Sequence, residues 1–305
     1  MRMTRINMGM YAVRRHAIIL IFMTEQQLQK IYQAAYNFLL QQNGITESIL
    51  KQHLESESNK PDDLKIIYKR FCDSAQNRQM SSKVIGQSIG GIQNLDKILF
   101  NFDPHLVAEK YSKISGLILL NDIKQILKPR GQIRTTTRSL WPQFCQSVID
   151  SAHFLKQFET AKKFYEWADF FANDIKAKPA LPLMISIEIT GIGFPLACDI
   201  LKELGYMEYG KPDVHLKDIF KALNIIDPLE KSTIKQDYQT LKAIDSIAKA
   251  NNVSAYAIDK IFWLIGSGNF YTTGQNIGRQ KQTFIKLMTN NSTAPNIGLP
   301  ISQTK

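Results

Sequence analysis

The chain has 305 residues, of which 44% are hydrophobic and 21% are charged, so it can bury one or two sizeable cores. Its formal net charge is +11 and its pI is about 9.4. Such a charge attracts an acidic partner such as a nucleic acid, with an affinity that falls as salt is added. No long run of basic residues is present, which excludes a disordered basic tail. The 3 cysteines are widely spaced, which argues against a disulfide framework and fits a reducing, intracellular setting.

The N-terminus allows two interpretations. The first 24 residues contain four arginines and no acidic residue, as a transit peptide would. The apolar run from Ala17 to Phe22 is too short to cross a membrane and lacks a clear cleavage site. Met23 resembles a natural start, and we favour the interpretation that residues 1–22 are an upstream translation artefact. No other segment is long and apolar enough to cross a bilayer, so we expect no membrane partner.

Apolar residues recur every three to four positions along most of the chain, which predicts helices. Before residue 128 the predicted helices span 25–43, 45–54, 61–76, 91–100, 104–112 and 117–127. After residue 139 they span 140–155, 158–174, 180–188, 195–205, 214–223, 235–250 and 254–265. Alternating patterns typical of β-strands are scarce. We therefore predict an all-α protein with two helical lobes.

A segment rich in proline, glycine and threonine runs from Lys128 to Ser139 and is predicted to be a loop. Its basic side chains include Arg130, Arg134 and Arg138, and we predict that Arg134 and Arg138 contact DNA phosphates. The predicted division of the chain is an uncertain extension at 1–22, an N-terminal helical domain at 23–127, the basic loop at 128–139, a core at 140–290 and a flexible tail at 291–305.

The most informative motif is the turn Gly191-Ile192-Gly193, which lies between two apolar, helix-like stretches. Its two glycines permit a tight turn, and because they have no side chains they leave the backbone accessible. Backbone N–H groups at the start of the next helix, at the positive end of the helix dipole, form a seat for a phosphate. Pro195 suits the first turn of that second helix. For the turn taken alone, a plain helix–turn–helix corner is the alternative interpretation.

Asp213 follows Gly193 by 20 residues, within Lys211-Pro212-Asp213-Val214-His215. Because residues 214–223 are predicted to be helical, Asp213 falls at the N-cap, where the dipole favours the ionised form. A carboxylate beside a sugar can stabilise the positive charge that develops as a glycosidic bond breaks, and it can deprotonate a water molecule. A helix cap without a catalytic role is the alternative.

The turn and the Pro212-Asp213-Val214-His215 stretch together resemble the signature of the helix-hairpin-helix base-excision DNA glycosylases. In that superfamily (the HhH-GPD proteins) the hairpin is close to Leu-Pro-Gly-Val-Gly, and the catalytic aspartate lies at this distance. The resemblance covers about residues 180–270 and indicates a divergent, bacterial-type member whose aspartate lies between the two lobes. It implies a catalytic role for Asp213. It also implies contacts to double-stranded DNA from Gly191, Ile192, Gly193, Lys211 and His215, although a structural role for His215 is an open alternative.

Two departures from the family pattern refine the prediction. Bifunctional members carry a lysine two residues after the second glycine, where this chain has Pro195. Lys202 lies about 10 Å further along the helix axis. We therefore predict a monofunctional enzyme that uses water and leaves an abasic site, unless an out-of-register lysine supplies lyase activity. Some relatives bind an iron–sulfur cluster through closely spaced cysteines, but Cys72, Cys145 and Cys198 are too far apart for this. No zinc-binding spacing is present, and no cofactor is expected.

Glycosylases rotate their target base out of the duplex. Trp141 and Gln143, just after the basic loop, are candidates for the base pocket or for a wedge, and a core position is the alternative for Trp141. The excised base, damaged or modified, is left open. One alternative function is phage defence by excision of hypermodified phage bases. Another is a non-catalytic DNA-binding protein, which would need the glycines but not Asp213. We expect a monomer in the cytoplasm or nucleoid.

Overall fold

The computed structural model describes residues 23–77 and 84–290, so the predicted extension at 1–22 and tail at 291–305 lie outside the described residues. α-Helices account for most of the described chain, which confirms the all-α prediction. The helices are α1 (Glu25–Leu40), α2 (Glu47–Leu54), α3 (Leu64–Gln76), α4 (Pro104–Lys110), α5 (Gly116–Leu127), α6 (Leu140–Leu155), α7 (Ala161–Ala172), α8 (Ala180–Glu188), α9 (Phe194–Glu203), α10 (Val214–Ala222), α11 (Thr233–Asn251), α12 (Ala255–Ser267) and α13 (Lys281–Asn290).

Two short strands, β1 (Asn269–Phe270) and β2 (Gln275–Asn276), form an antiparallel hairpin between α12 and α13. Asn269 pairs with Asn276, and Phe270 pairs with Gln275. Neither this hairpin nor α13 is predicted from the sequence. The strands are too short to produce an alternating pattern, and α13 follows a segment rich in glycine and asparagine.

The described residues belong to two compact units. Among the described residues, the first unit combines 23–56 with 210–290 and contains α1, α2 and α10 to α13. Its central helix is α12, which packs against each of the other five helices. Aromatic rings connect these helices, with centroid distances of 5.1 Å for Phe220–Phe262, 6.2 Å for Phe262–Phe284 and 5.2 Å for Phe284–Phe38. The core of this unit therefore depends on both ends of the chain.

The second unit, Glu57–Tyr209, contains α3 to α9. Helix α6 is its centre and packs against α3, α4, α5 and α8. The three cysteines, Cys72, Cys145 and Cys198, are buried in this unit, and none of them forms a disulfide. Burial raises the pKa of the Cys72 and Cys145 thiols, which keeps them protonated and unreactive.

The observed division of the chain differs from the predicted boundary at residues 128–139. Helices α1 and α2 pack with α11 and α12 rather than with α3 to α5. The reason is that an apolar stripe such as Leu28, Ile31 and Ala35 of α1 shows which face is buried but not which helix covers it.

The predicted helix at 91–100 is also shorter than expected. Only a 3-10 helix, Ile92–Lys97, forms there. Gly90 and Gly91 precede it with φ values of 74° and 114°, and Phe100, Asn101 and Phe102 follow it with φ values of 51°, 56° and 59°. Left-handed residues on both sides prevent an α-helix from extending in either direction. None of the described helices is long and apolar enough to cross a membrane.

Candidate active site

Asp213 begins α10 as its N-cap, as the sequence predicts. Its backbone is extended, with φ −81° and ψ 178°, and its Oδ1 accepts hydrogen bonds from the N–H groups of His215 and Leu216 at 2.8 and 3.1 Å. No described residue donates a hydrogen bond to Oδ2. The half-buried carboxyl group is therefore fixed through one oxygen, and the other is available for a ligand.

A second aspartate lies beside this loop. Asp259 of α12 is 2% exposed, and its Oδ2 accepts a hydrogen bond from the Lys211 backbone N–H at 3.1 Å. Burial raises the pKa of Asp213, and the negative charge of Asp259 raises it further. The Leu216 N–H bond, the positive charge of Lys211 and, at pH values low enough to protonate it, the charge of His215 act in the opposite direction. The net result is a carboxyl group that is protonated at higher pH than an exposed aspartate.

The loop before Asp213 begins at Gly210, where its backbone passes close to α11 and α12. A Cβ on Gly210 would lie 2.7 Å from Ile244 Cγ2 and 3.0 Å from the Ala255 carbonyl oxygen. Only glycine therefore lets the chain pass this close to α11 and α12. Three residues later the Asp213 N–H donates to the Lys211 carbonyl at 2.8 Å, which tightens the loop at the N-cap.

His215 lies against α12 at a second glycine. A Cβ on Gly266 would come within 2.4 Å of His215 Cγ, so the imidazole occupies the space that any larger residue would need. The His215 Nδ1 is buried and has no hydrogen-bond partner among the described residues. Burial lowers the pKa of His215, and the positive charges of Lys281 and Arg279 lower it further, against the opposing effects of Asp213 and Asp218. The imidazole is therefore neutral at neutral pH.

The predicted phosphate-binding turn belongs to the second unit and connects α8 to α9. Gly191 has φ 85°, which favours glycine, whereas Gly193 is the N-cap of α9 with an ordinary φ of −79°. No side chain caps the start of α9, and Gly193 is exposed. Ile192 is 1% exposed and packs into the core. The bare N-terminus of α9 thus has the form that an anion requires.

The turn is attached to α6 by two side chains. The Thr190 backbone N–H donates to Asp150 Oδ2 at 2.9 Å. The Ser147 hydroxyl donates to the Thr190 carbonyl oxygen. These bonds restrict the backbone just before Gly191, so the turn is positioned by the central helix of its unit.

The position two residues after Gly193 does not hold a lysine. Pro195 occupies the first turn of α9, and Lys202 near its end is 3% exposed. The Lys202 Nζ lies 2.9 Å from Asp199 Oδ1 in a buried ion pair. A lysine held in this way is engaged within its own helix.

The basic loop contains neither helix nor strand, and Arg134 and Arg138 are exposed on it. Trp141, just beyond, is 4% exposed and packs edge-on against Phe144 with a centroid distance of 6.1 Å. This burial favours the core interpretation of Trp141 over base stacking. Gln143 is half-buried.

Of the predicted site residues, Lys211, Asp213 and His215 lie together in the first unit. The turn, the basic loop, Trp141 and Gln143 belong to the second unit. The sequence does not point to Gly266 as the residue that accommodates His215, since Gly266-Ser267-Gly268 predicts only a helix end. No group of three or more histidine, cysteine, aspartate or glutamate side chains among residues 23–77 and 84–290 is arranged to bind a metal ion.

No family model matches the chain, and no curated protein matches it. A similar solved structure is the 8-oxoguanine glycosylase/lyase of Methanocaldococcus jannaschii in complex with a 15mer DNA containing 8-oxoguanine. The identity is 14% and the TM-score is 0.47, over 77% of this chain and 96% of that chain.

Proposed function

We propose that the protein is a monomeric DNA glycosylase that hydrolyses the N-glycosidic bond of a damaged or modified base in double-stranded DNA. The observation that carries this proposal is the state of Asp213. Its Oδ1 is held by two backbone N–H groups, its Oδ2 is not engaged by any described residue, and a buried aspartate lies beside it. A carboxyl group that serves only as a helix cap does not require a buried like charge as its neighbour.

The chemistry follows from the ionised carboxylate. As the bond between C1′ and the base nitrogen breaks, its electron pair leaves with the base and positive charge develops on the sugar. Asp213 stabilises that charge, and its Oδ2 takes a proton from the water molecule that attacks C1′. The base acquires a proton from solvent, and the sugar becomes an abasic site.

The turn at Gly191–Gly193 supplies affinity for the phosphate backbone. Its exposed glycine and the bare N-terminus of α9 offer backbone N–H groups to a phosphate oxygen. Such contacts do not depend on base identity. The net charge of +11 and the exposed Arg134 and Arg138 add further sequence-independent attraction.

The reaction is monofunctional in this proposal. Lyase chemistry needs an amine that attacks the sugar, and the family position for that amine holds Pro195. Lys202 is paired with Asp199 and buried, which makes it a poor substitute. The expected product is an abasic site in an intact strand.

Base release tests the proposal. The parent protein and Asp213→Asn are incubated with duplexes that contain damaged, mismatched or phage-type modified bases, and freed bases are identified by mass spectrometry. We expect release from at least one substrate by the parent and a loss of at least about 100-fold in Asp213→Asn, the lower range for removal of a general base. Asparagine caps helices about as well as aspartate, so the melting temperature of the variant should not fall.

Alkali treatment of parallel samples separates the two product types. Strand breaks that appear only after alkali support a monofunctional enzyme, whereas breaks without alkali would show lyase activity. If the protein binds DNA but releases no base from any substrate, the alternative of a non-catalytic DNA-binding protein would be favoured.

A further inference from the structure

The chain between β2 and α13 is fixed to the end of α12. The Ile277 N–H donates to the Gly268 carbonyl at 2.9 Å, and the Gln280 N–H donates to the Ile265 carbonyl at 3.0 Å. The Gln280 side chain donates to the Ile277 carbonyl at 2.8 Å, which closes the segment on itself. We call residues 277–280 the α12 strap.

Glycine is required where the strap meets α12. Gly268 has φ 72°, and a Cβ there would lie 1.9 Å from the Gly278 carbonyl oxygen. The Gly278 N–H in turn donates to Asn276 Oδ1 at 2.8 Å. The backbone that carries Arg279 is therefore held on both sides, so its position is not that of a free loop.

The strap lies at the C-terminal end of α12, which also contacts His215, the second residue of the helix that Asp213 caps. Ile265, which accepts the hydrogen bond from Gln280, is followed by Gly266, which leaves space for the His215 ring. Lys281 forms an ion pair with Asp218 of α10, which connects α13 to the helix that Asp213 caps. Arg279 thus stands close to His215, and its charge contributes to the lowered pKa of that imidazole.

The two basic residues near His215, Arg279 and Lys281, differ in their ion-pair partners. Lys281 is neutralised by Asp218. Arg279 is exposed and forms no ion pair with any described carboxylate. An exposed arginine on a restrained backbone, without an ion pair to a described carboxylate, is arranged for an anion from outside the protein.

We propose that Arg279, positioned by the α12 strap, binds a backbone phosphate of the DNA strand on which Asp213 acts. This inference rests on the proposed function for the identity of the strand. It adds a phosphate contact in the first unit, separate from the turn at Gly191–Gly193. The guanidinium offers two parallel N–H donors to one phosphate, which fixes both distance and direction.

Binding measurements test the proposal without any need for catalysis. In the Asp213→Asn protein, Arg279→Gln should weaken binding to an undamaged duplex by about tenfold at low salt, or about 1.4 kcal/mol. The slope of log affinity against log salt should fall by about 0.9, as expected for the loss of one phosphate contact. The matched control is Lys286→Gln, which removes one exposed positive charge from α13 and should change both values far less.

Equal losses in Arg279→Gln and Lys286→Gln would overturn the proposal, because net charge alone would then explain the effect. Unchanged affinity in Arg279→Gln, with an unchanged melting temperature, would also overturn it. A second readout is the NMR titration of His215, whose pKa should rise in Arg279→Gln but not in Lys286→Gln. The absence of that rise would show that Arg279 does not lie beside His215.

The outcomes separate this inference from the proposed function. If the affinity depends on Arg279 and no substrate loses a base, the phosphate site stands and the glycosylase reaction fails. If base release depends on Asp213 while Arg279→Gln binds DNA as tightly as its parent, the reaction stands and the phosphate site fails.

Discussion

At the residue scale, Asp213 experiences opposing electrostatic effects. The first turn of α10 donates two N–H groups to its Oδ1 and favours the carboxylate. Burial and the charge of Asp259 favour the protonated acid, and together they raise the pKa of Asp213. A base is most useful when its pKa is near the working pH, because it is then both ionised and ready to take a proton. The arrangement is thus suited to a general base.

We expect base release to fall as pH decreases through the raised pKa of Asp213, since only the ionised form accepts the proton. Asp259→Asn removes the repelling charge, so it lowers the pKa of Asp213 and should move the midpoint of the pH profile to lower pH. The measurement is the single-turnover rate of base release across a pH series. A lower rate at every pH with an unchanged midpoint would contradict this, since it would show that Asp259 acts through packing alone.

At the element scale, the turn at Gly191–Gly193 needs its two glycines for different reasons. Gly191 has φ 85° and is required by the backbone. Gly193 has φ −79°, and a Cβ placed on it would meet nothing closer than Pro195 Cδ at 3.9 Å. The fold therefore needs the first glycine, whereas the open space at the second is of use only to something that approaches the start of α9 from outside.

Matched substitutions distinguish the role of Gly191 in stability from the role of Gly193 in DNA binding. Gly191→Ala should destabilise the protein by about 1 kcal/mol, the usual penalty for a side chain in the left-handed region. Gly193→Leu should leave the melting temperature nearly unchanged and weaken binding to damaged and undamaged duplexes alike, by about tenfold. Thermal unfolding and duplex titrations provide both values. A loss in Gly193→Leu that depends strongly on the lesion would show that the turn does not bind phosphates in general.

Local signals explain how much of these elements could be predicted. The start of α10 is correctly predicted because Asp213 and the apolar positions after it, Leu216, Ile219 and Phe220, lie within three turns. The neighbour that raises the pKa of Asp213 is Asp259, 46 residues away in the sequence, and no pattern in the chain brings the two together. The same holds for Gly266 and the strap at 277–280, since tertiary contacts rather than periodicity define both.

At the scale of the whole molecule, the first unit depends on residues before position 57. Phe38 of α1 packs edge-on against Phe284 of α13. His53 of α2 is 1% exposed, and its Nε2 accepts a hydrogen bond from the Thr272 backbone N–H at 3.4 Å, in the loop between β1 and β2. The segment that carries Asp213 is thus covered by helices from the opposite end of the chain.

A chain that begins at residue 57 should consequently lose the first unit while the second survives. We expect hydrogen exchange to become rapid across residues 210–290 and to stay slow in the core of 57–209. A chain that begins at Met23 is the matched control, because it keeps Thr24, whose side chain caps α1. Unchanged protection at 210–290 without α1 and α2 would show that this segment folds without them.

The split composition of the first unit also has a consequence during synthesis. The ribosome delivers α1 and α2 first, but their packing partners α11 and α12 emerge about 200 residues later, or some 10–40 s at bacterial to eukaryotic elongation rates. The continuous second unit can complete its core during that interval. The apolar faces of α1 and α2 stay uncovered meanwhile, so we expect the nascent chain to bind chaperones until residues 210–290 have emerged.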